Sequence, residues 1–163
     1  MEYIYIGKIV NTHGIKGEIR LLSDFKFKER VFVKNMEIYI GRKKEKEVIE
    51  TYRHHKNFEM ITLVGYSNIN EILKYKGLSV FVLREDLNLG ENEYLDSDLI
   101  GFSCYNNNDF VGNLVDIVES GKGNKLFVIE NDSEKKYVPY QEQFVINIDF
   151  SSKRIELNLL EGM

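Results

Sequence analysis

Gly7-Lys8-Ile9-Val10-Asn11-Thr12-His13-Gly14-Ile15-Lys16-Gly17-Glu18-Ile19-Arg20 is the stretch from which the fold is read. An apolar alternation enters it through Ile4 and Ile6, stops at Asn11, and resumes at Ile19 and Leu21. Period-two alternation marks half-buried strands. Between the two runs stand Gly14 and Gly17, preceded by His13 and Lys16. Glycine tolerates positive φ, so the pair predicts a shaped turn longer than a plain two-residue hairpin loop. A phosphate-cradling glycine loop needs a helix directly after the glycines. Glu18-Ile19-Arg20-Leu21 alternates as a strand instead, so a nucleotide site is not expected here.

Outward from this turn, the first half reads as short strands. Tyr3–Val10, Glu18–Ser23, Met36–Ile40, Val48–Arg53, Phe58–Val64 and Leu78–Leu83 carry the strand patterns. Asp24-Phe25-Lys26-Phe27-Lys28-Glu29-Arg30 is expected as a basic, aromatic connection. Asn68 as N-cap, Glu71 three residues on and Gly77 as stop predict one short helix. Six strands with one helix suggest a small barrel, because closure removes exposed edges.

Residues 86–93 turn polar and acidic around Gly90 and are expected to link a first domain, 1–85, to a second, 94–163. The second half shows strand-like runs at Leu99–Tyr105, Phe110–Glu119, Leu126–Glu130, Lys136–Pro139, Val145–Asp149 and Arg154–Leu159. Turn-forming clusters such as Asn106-Asn107-Asn108-Asp109 and Gly121-Lys122-Gly123-Asn124 separate them. The expected fold is mainly β: two small β-barrels in tandem.

Residues 1–84 hold 16 Lys or Arg against 10 Asp or Glu, and residues 85–163 hold 6 against 16. Charges of +6 and −10 suggest two halves with different partners, the first suited to a polyanion. The lone Cys104 allows no intramolecular disulfide framework, and Met1-Glu2-Tyr3 lacks the regions of a signal peptide. With no apolar run near the ~20 residues of a membrane helix, a cytoplasmic protein that does not enter membranes is expected.

Chemistry is sparse. His54 and His55 are adjacent in a strand pattern, so they point to opposite faces and do not share a metal. No zinc spacing or nucleophile elbow occurs. No catalytic residue, cofactor or metal is therefore expected. Lys16, Arg20, Lys26, Lys28 and Arg30 fall within fifteen residues, interleaved with Phe25 and Phe27. Lysine and arginine neutralise phosphates, and aromatics stack on unpaired bases. Phe25 and Phe27 serve either that purpose or the core. A general single-stranded RNA-binding module is the alternative function, and it requires Phe25, Phe27 and Tyr52 exposed on one surface.

The opening stretch resembles the N-terminal signature of the bacterial ribosome maturation factor RimM family. Arg53-His54-His55-Lys56, the Ile69–Gly77 helix, Asp98-Leu99-Ile100-Gly101, the Gly112–Val118 strand, Val138-Pro139-Tyr140 and Leu160-Glu161-Gly162 follow in the family's order. The resemblance implies a translation-factor-like barrel followed by a PRC-type barrel. It further implies a non-enzymatic, monomeric factor that binds the immature small ribosomal subunit and the S-nineteen protein of its head, and assists maturation of the 3′ domain of the ribosomal RNA. The family pattern has two tyrosines before Asp-Leu-Ile-Gly; here Tyr94 is followed by Leu95, which keeps apolar bulk and lacks the hydroxyl. Tyr94, Leu95 and Asp98 are thus expected on the ribosomal-protein side. His13, Lys16, Arg20, Lys26, Lys28 and Arg53 are expected to face RNA, with Gly14 and Gly17 shaping the turn. Tyr94 either packs as a structural residue between the domains or points outward as an interface anchor.

Overall fold

The computed structural model describes every residue from 1 to 163 except Lys122, so that part of the expected 121–124 turn lies outside the described residues. The chain divides into two compact units, Met1–Asn92 and Glu93–Met163.

The first unit contains β1 (Tyr3–His13), β2 (Glu18–Leu22), α1 (Lys28–Val31), β3 (Glu37–Ile40), β4 (Glu45–His55), β5 (Phe58–Leu63), α2 (Ile69–Ile72) and β6 (Ser79–Leu83). Its strands close into a barrel in the order β1-β2-β5-β4-β3-β6. β1 serves two neighbours, β2 and β6, and its register shifts against each, between Ile9 and Asn11 and between Tyr5 and Gly7. Such bulges bend a strand enough to close a small sheet. Gly7 sits at one of them, where a Cβ would lie 2.7 Å from the Leu22 carbonyl oxygen. Ile6, Ile9, Ile19, Leu21, Ile38, Ile40, Ile49, Ile61, Leu63, Val80 and Val82 are buried.

β1 continues three residues past the last apolar position, because Asn11, Thr12 and His13 pair with Arg20, Ile19 and Glu18. Backbone pairing, not side-chain burial, holds that end. Gly14 and Gly17 both take positive φ, +69° and +86°. At Gly17 a Cβ would also stand 3.2 Å from the Asn68 carbonyl oxygen, so the turn is seated against the start of α2. The Ile69 amide donates to the Ile15 carbonyl there. The helix begins as expected: the Asn68 side chain accepts from the Asn70 amide, and Glu71 reaches back to the Asn68 amide. It continues as a tighter turn over Leu73–Tyr75.

Residues 24–30 are not a plain connection. Lys28–Val31 forms a helical turn, because Phe27, Val31 and Phe32 all find burial against the barrel. Leu87 is likewise buried, in a short turn over Arg84–Leu87, and its carbonyl accepts from Arg30 at 3.3 Å.

The second unit contains β7 (Ser103–Asn106), β8 (Asp109–Glu119), β9 (Lys125–Asn131), β10 (Glu134–Pro139), β11 (Val145–Asp149) and β12 (Arg154–Leu157). They form a six-stranded sheet in the order β10-β9-β8-β7-β12-β11, with β12 parallel to β7 and the remaining pairs antiparallel. The strand expected from Leu99 starts only at Ser103. Asp96–Leu99 winds instead into a short turn, and Gly101, at φ +97°, redirects the chain. Leu99, Phe102, Cys104, Leu114, Phe127, Ile129, Val138, Phe144, Ile155 and Leu157 make this unit's core. Burial pushes the Cys104 thiol up to about 12, so it stays protonated and unreactive.

Candidate functional site

Strand alternation brings chemistry to one outer face of the barrel. Glu18 and Arg20 are two apart on β2, as Arg53 and His55 are on β4, so each pair shares a face. β5 lies between them, with Met60 in register with Arg20 on one side and Arg53 on the other. Met60 is fully buried at that position. Arg53 donates from Nε and Nη2 to the two carboxylate oxygens of Glu18, at 2.8 and 2.7 Å. Those hydrogen bonds hold the Glu18 carboxyl below its ordinary value.

Arg20 is held differently. Its guanidinium lies over the Phe58 ring, 4.9 Å from the centroid, and Nη2 donates to His13 Nδ1 at 2.7 Å. Its Nε is buried and has no hydrogen-bond partner. The His13 and His55 rings are 6.4 Å apart. Partial desolvation, then the charges of Arg53 and Lys56, then His13 and Arg20, push His55 below its ordinary value. Lys16 and Lys56 stand exposed in the turns on either side. The arrangement concentrates cationic and hydrogen-bond-donating groups around one carboxylate.

Of the six side chains expected to face RNA, the fold thus gathers His13, Arg20 and Arg53 closely. Lys16 is at the exposed tip of the β1–β2 turn. Lys28 belongs elsewhere: its Nζ lies 3.8 Å from the carboxylate of Glu59, a residue only 1% exposed. Tyr52 donates its hydroxyl to Glu59 at 2.6 Å, and His54 Nδ1 lies 3.0 Å from the same oxygen. Burial pushes the Glu59 carboxyl up, but the hydrogen bonds from Tyr52 and His54 and the charge of Lys28 outweigh it, leaving the net value lowered. Lys26 packs its ammonium over the Phe27 ring at 5.4 Å.

Of the three aromatics needed for general base stacking, only Tyr52 is exposed, at 39%. Phe27 is buried, Phe25 meets it edge-on at 6.2 Å, and Tyr52 stacks on Phe32 at 6.0 Å. Sequence reading alone gives Glu18, His55, Phe58 and Glu59 no place in an RNA-facing site. The two-residue spacing of Glu18–Arg20 and Arg53–His55 is the signal that pairs them by face, but the strand order that joins those faces is not local information.

In the second unit, Tyr94 packs within its own core. Its ring lies 5.0 Å from Phe150, and its hydroxyl is 3.1 Å from that of Tyr140. Leu95 is buried, and its amide donates to Asp98 Oδ2 at 2.9 Å, which fixes the Asp96–Leu99 turn. Lys125 pairs with Asp96 at 2.7 Å. Phe150 and Ile100 remain substantially exposed beside this segment. Among the described residues, no three His, Cys, Asp or Glu side chains are grouped to hold a metal, and no helix is long and apolar enough to cross a membrane.

Residues 4–87 match the RimM N-terminal domain, and residues 96–163 match the RimM PRC barrel domain. The ribosome maturation factor RimM of an Exiguobacterium species is 36% identical over 167 residues, covering 100% of this chain and 97% of its own. That of Exiguobacterium sibiricum is 37% identical, with coverage of 100% and 98%. The Streptococcus pneumoniae serotype 4 protein of the same name is 37% identical over 169 residues, again covering 100% and 98%. The solution structure of the N-terminal domain of RimM from Thermus thermophilus superposes with a TM-score of 0.47 at 18% identity, over 55% of this chain and 98% of that one.

Proposed function

This chain belongs to the RimM family, and from that premise we propose that it is a non-enzymatic ribosome maturation factor of the cytoplasm. It binds the immature small ribosomal subunit as a monomer and assists assembly of the head and maturation of the 3′ domain of the ribosomal RNA. The first unit faces RNA through the outer surface that carries His13, Lys16, Arg20 and Arg53. The second unit faces a basic ribosomal protein of the head, the S-nineteen protein, through the segment around Tyr94.

The observation that carries this reading is the joining of the charge split to the fold. Counted over the two units, Met1–Asn92 holds 16 Lys or Arg against 13 Asp or Glu, a charge of +3, and supplies a barrel face with clustered donors; Glu93–Met163 holds 6 against 13, a charge of −7, and is a separate acidic unit. RNA is a polyanion and ribosomal proteins are generally basic, so each half complements one of the two. Leu95 and Asp98 act as positioning residues: one is buried, the other fixes the turn, and together they set the Tyr94 ring. Residues 86–93 are read as the linker, with Leu87 inside it buried.

The test separates the faces. Isolated S-nineteen protein should be captured through the second unit's surface, so Tyr94→Ala should weaken capture and Arg20→Ala should leave it unchanged. Subunit binding by Arg20→Ala should weaken and lose part of its salt dependence, because fewer counterions are released. If Arg20→Ala abolishes capture and Tyr94→Ala does not, the two faces are assigned the wrong way round.

A further inference from the structure

Arg20 is unusually provisioned. A guanidinium can only donate, so the 2.7 Å contact makes His13 Nδ1 the acceptor. A neutral ring nitrogen is a poor partner for a group suited to a forked anion. The neighbouring Nε is buried and has no hydrogen-bond partner among the described residues, so the guanidinium's donors are incompletely used. Arg53 already holds its carboxylate in Glu18, and among the described residues no carboxylate pairs with Arg20.

We propose that His13, Arg20 and His55, flanked by Lys16 and Lys56, form a cradle for one backbone phosphate of RNA, and that filling it takes up a proton onto the histidine pair. That the phosphate belongs to RNA rests on the function proposed above; the cradle itself rests on the geometry. A phosphate oxygen offers Arg20 Nη2 a charged replacement for the His13 nitrogen. His13 Nδ1, released from Arg20, is then able to bind a proton and donate to the anion.

The proton linkage follows from the groups around the pair. His55 meets Arg53 on its own strand, Lys56 in the adjoining turn, His13 on β1 and Arg20 on β2, with the Glu18 carboxylate nearby. In the free protein partial desolvation, and after it these neighbouring charges, oppose a charge on His55, and its lowered value expresses both. An anion among them reverses the local field and favours the protonated rings. Binding is therefore tighter at low pH, and uptake of about half a proton across two pH units gives roughly tenfold.

Inorganic phosphate is the first probe, followed on the full chain by the NMR signals of the three histidine rings. The His13 and His55 signals should shift saturably with phosphate, and His55 should titrate at higher pH when phosphate is present. His54, bound to Glu59, is the internal control and should stay in place. The second probe is the immature small subunit, whose affinity for the wild type should be about tenfold greater at pH 6 than at pH 8. The double variant His13→Asn, His55→Asn should lose that dependence. Unmoved His13 and His55 signals at saturating phosphate, or an unchanged pH dependence in the folded double variant, would overturn the cradle while leaving the ribosomal reading intact. Phosphate-shifted rings in a protein that binds no subunit at either pH would support the cradle and overturn its RNA source.

Discussion

Arg53 on β4 grips Glu18 on β2 through two hydrogen bonds, at 2.8 and 2.7 Å, that reach across the intervening strand β5. Forked geometry of this kind is the strong form of an ion pair, yet the Arg53 side chain is 49% exposed, so water screens it. The pair's larger effect is on the field of the face, where Glu18 offsets one of the cations clustered there.

Glu18→Gln should therefore cost only ~0–1 kcal/mol of stability while tightening subunit binding at low salt. Denaturant unfolding and binding at two salt concentrations check it. Weaker binding by a normally folded variant would mean that Arg53 must be held by Glu18 to act.

Glu59→Gln should be far more damaging. It leaves Lys28, Tyr52 and His54 around a buried site without its charge, and removing one partner of such a network costs ~2–3 kcal/mol. The folded carboxyl is lowered, so its contribution is complete above the unfolded-state value of about 4.3 and is lost as pH falls through the folded one. The stability gap between wild type and variant should accordingly shrink on acidification into that window. Equal unfolding midpoints at pH 7 would show the network to be energetically idle.

Gly17→Val should destabilise by more than ~1 kcal/mol, from positive φ and collision with the Asn68 carbonyl together. Gly14→Val meets open space and should suffer from its φ alone, hence less. Thermal melts that rank the two in the opposite order would detach the turn from α2.

Tyr94→Phe removes a hydroxyl that lies 3.1 Å from that of Tyr140 and should cost ~1 kcal/mol or less, with subunit binding largely kept. Tyr94→Ala removes the ring from Phe150 as well, and should lower stability and weaken binding about tenfold or more. Full binding by the alanine variant would remove Tyr94 from the partner surface.

Much of this was legible locally. The glycine pair announced the turn, and Asn68 with Glu71 announced the helix start, because capping and positive φ are properties of a few adjacent residues. The turn at Lys28–Val31 was hidden, since its stability comes from burying Phe27, Val31 and Phe32 against strands distant in sequence. Lys28 illustrates the same limit at the site. Among neighbouring lysines it reads as a phosphate contact, and only the fold shows it turned toward Glu59. Tyr94 and Leu95 were recognised by position, but that one packs on Phe150 and the other is buried depends on the whole second sheet.

The central claim is selective engagement of an unfinished small subunit, and co-sedimentation of the full chain with immature and mature small subunits tests it most directly. The protein should sediment with immature particles, less so as salt rises, and remain in the supernatant with mature ones. Equal sedimentation with both, or with neither, would contradict the account.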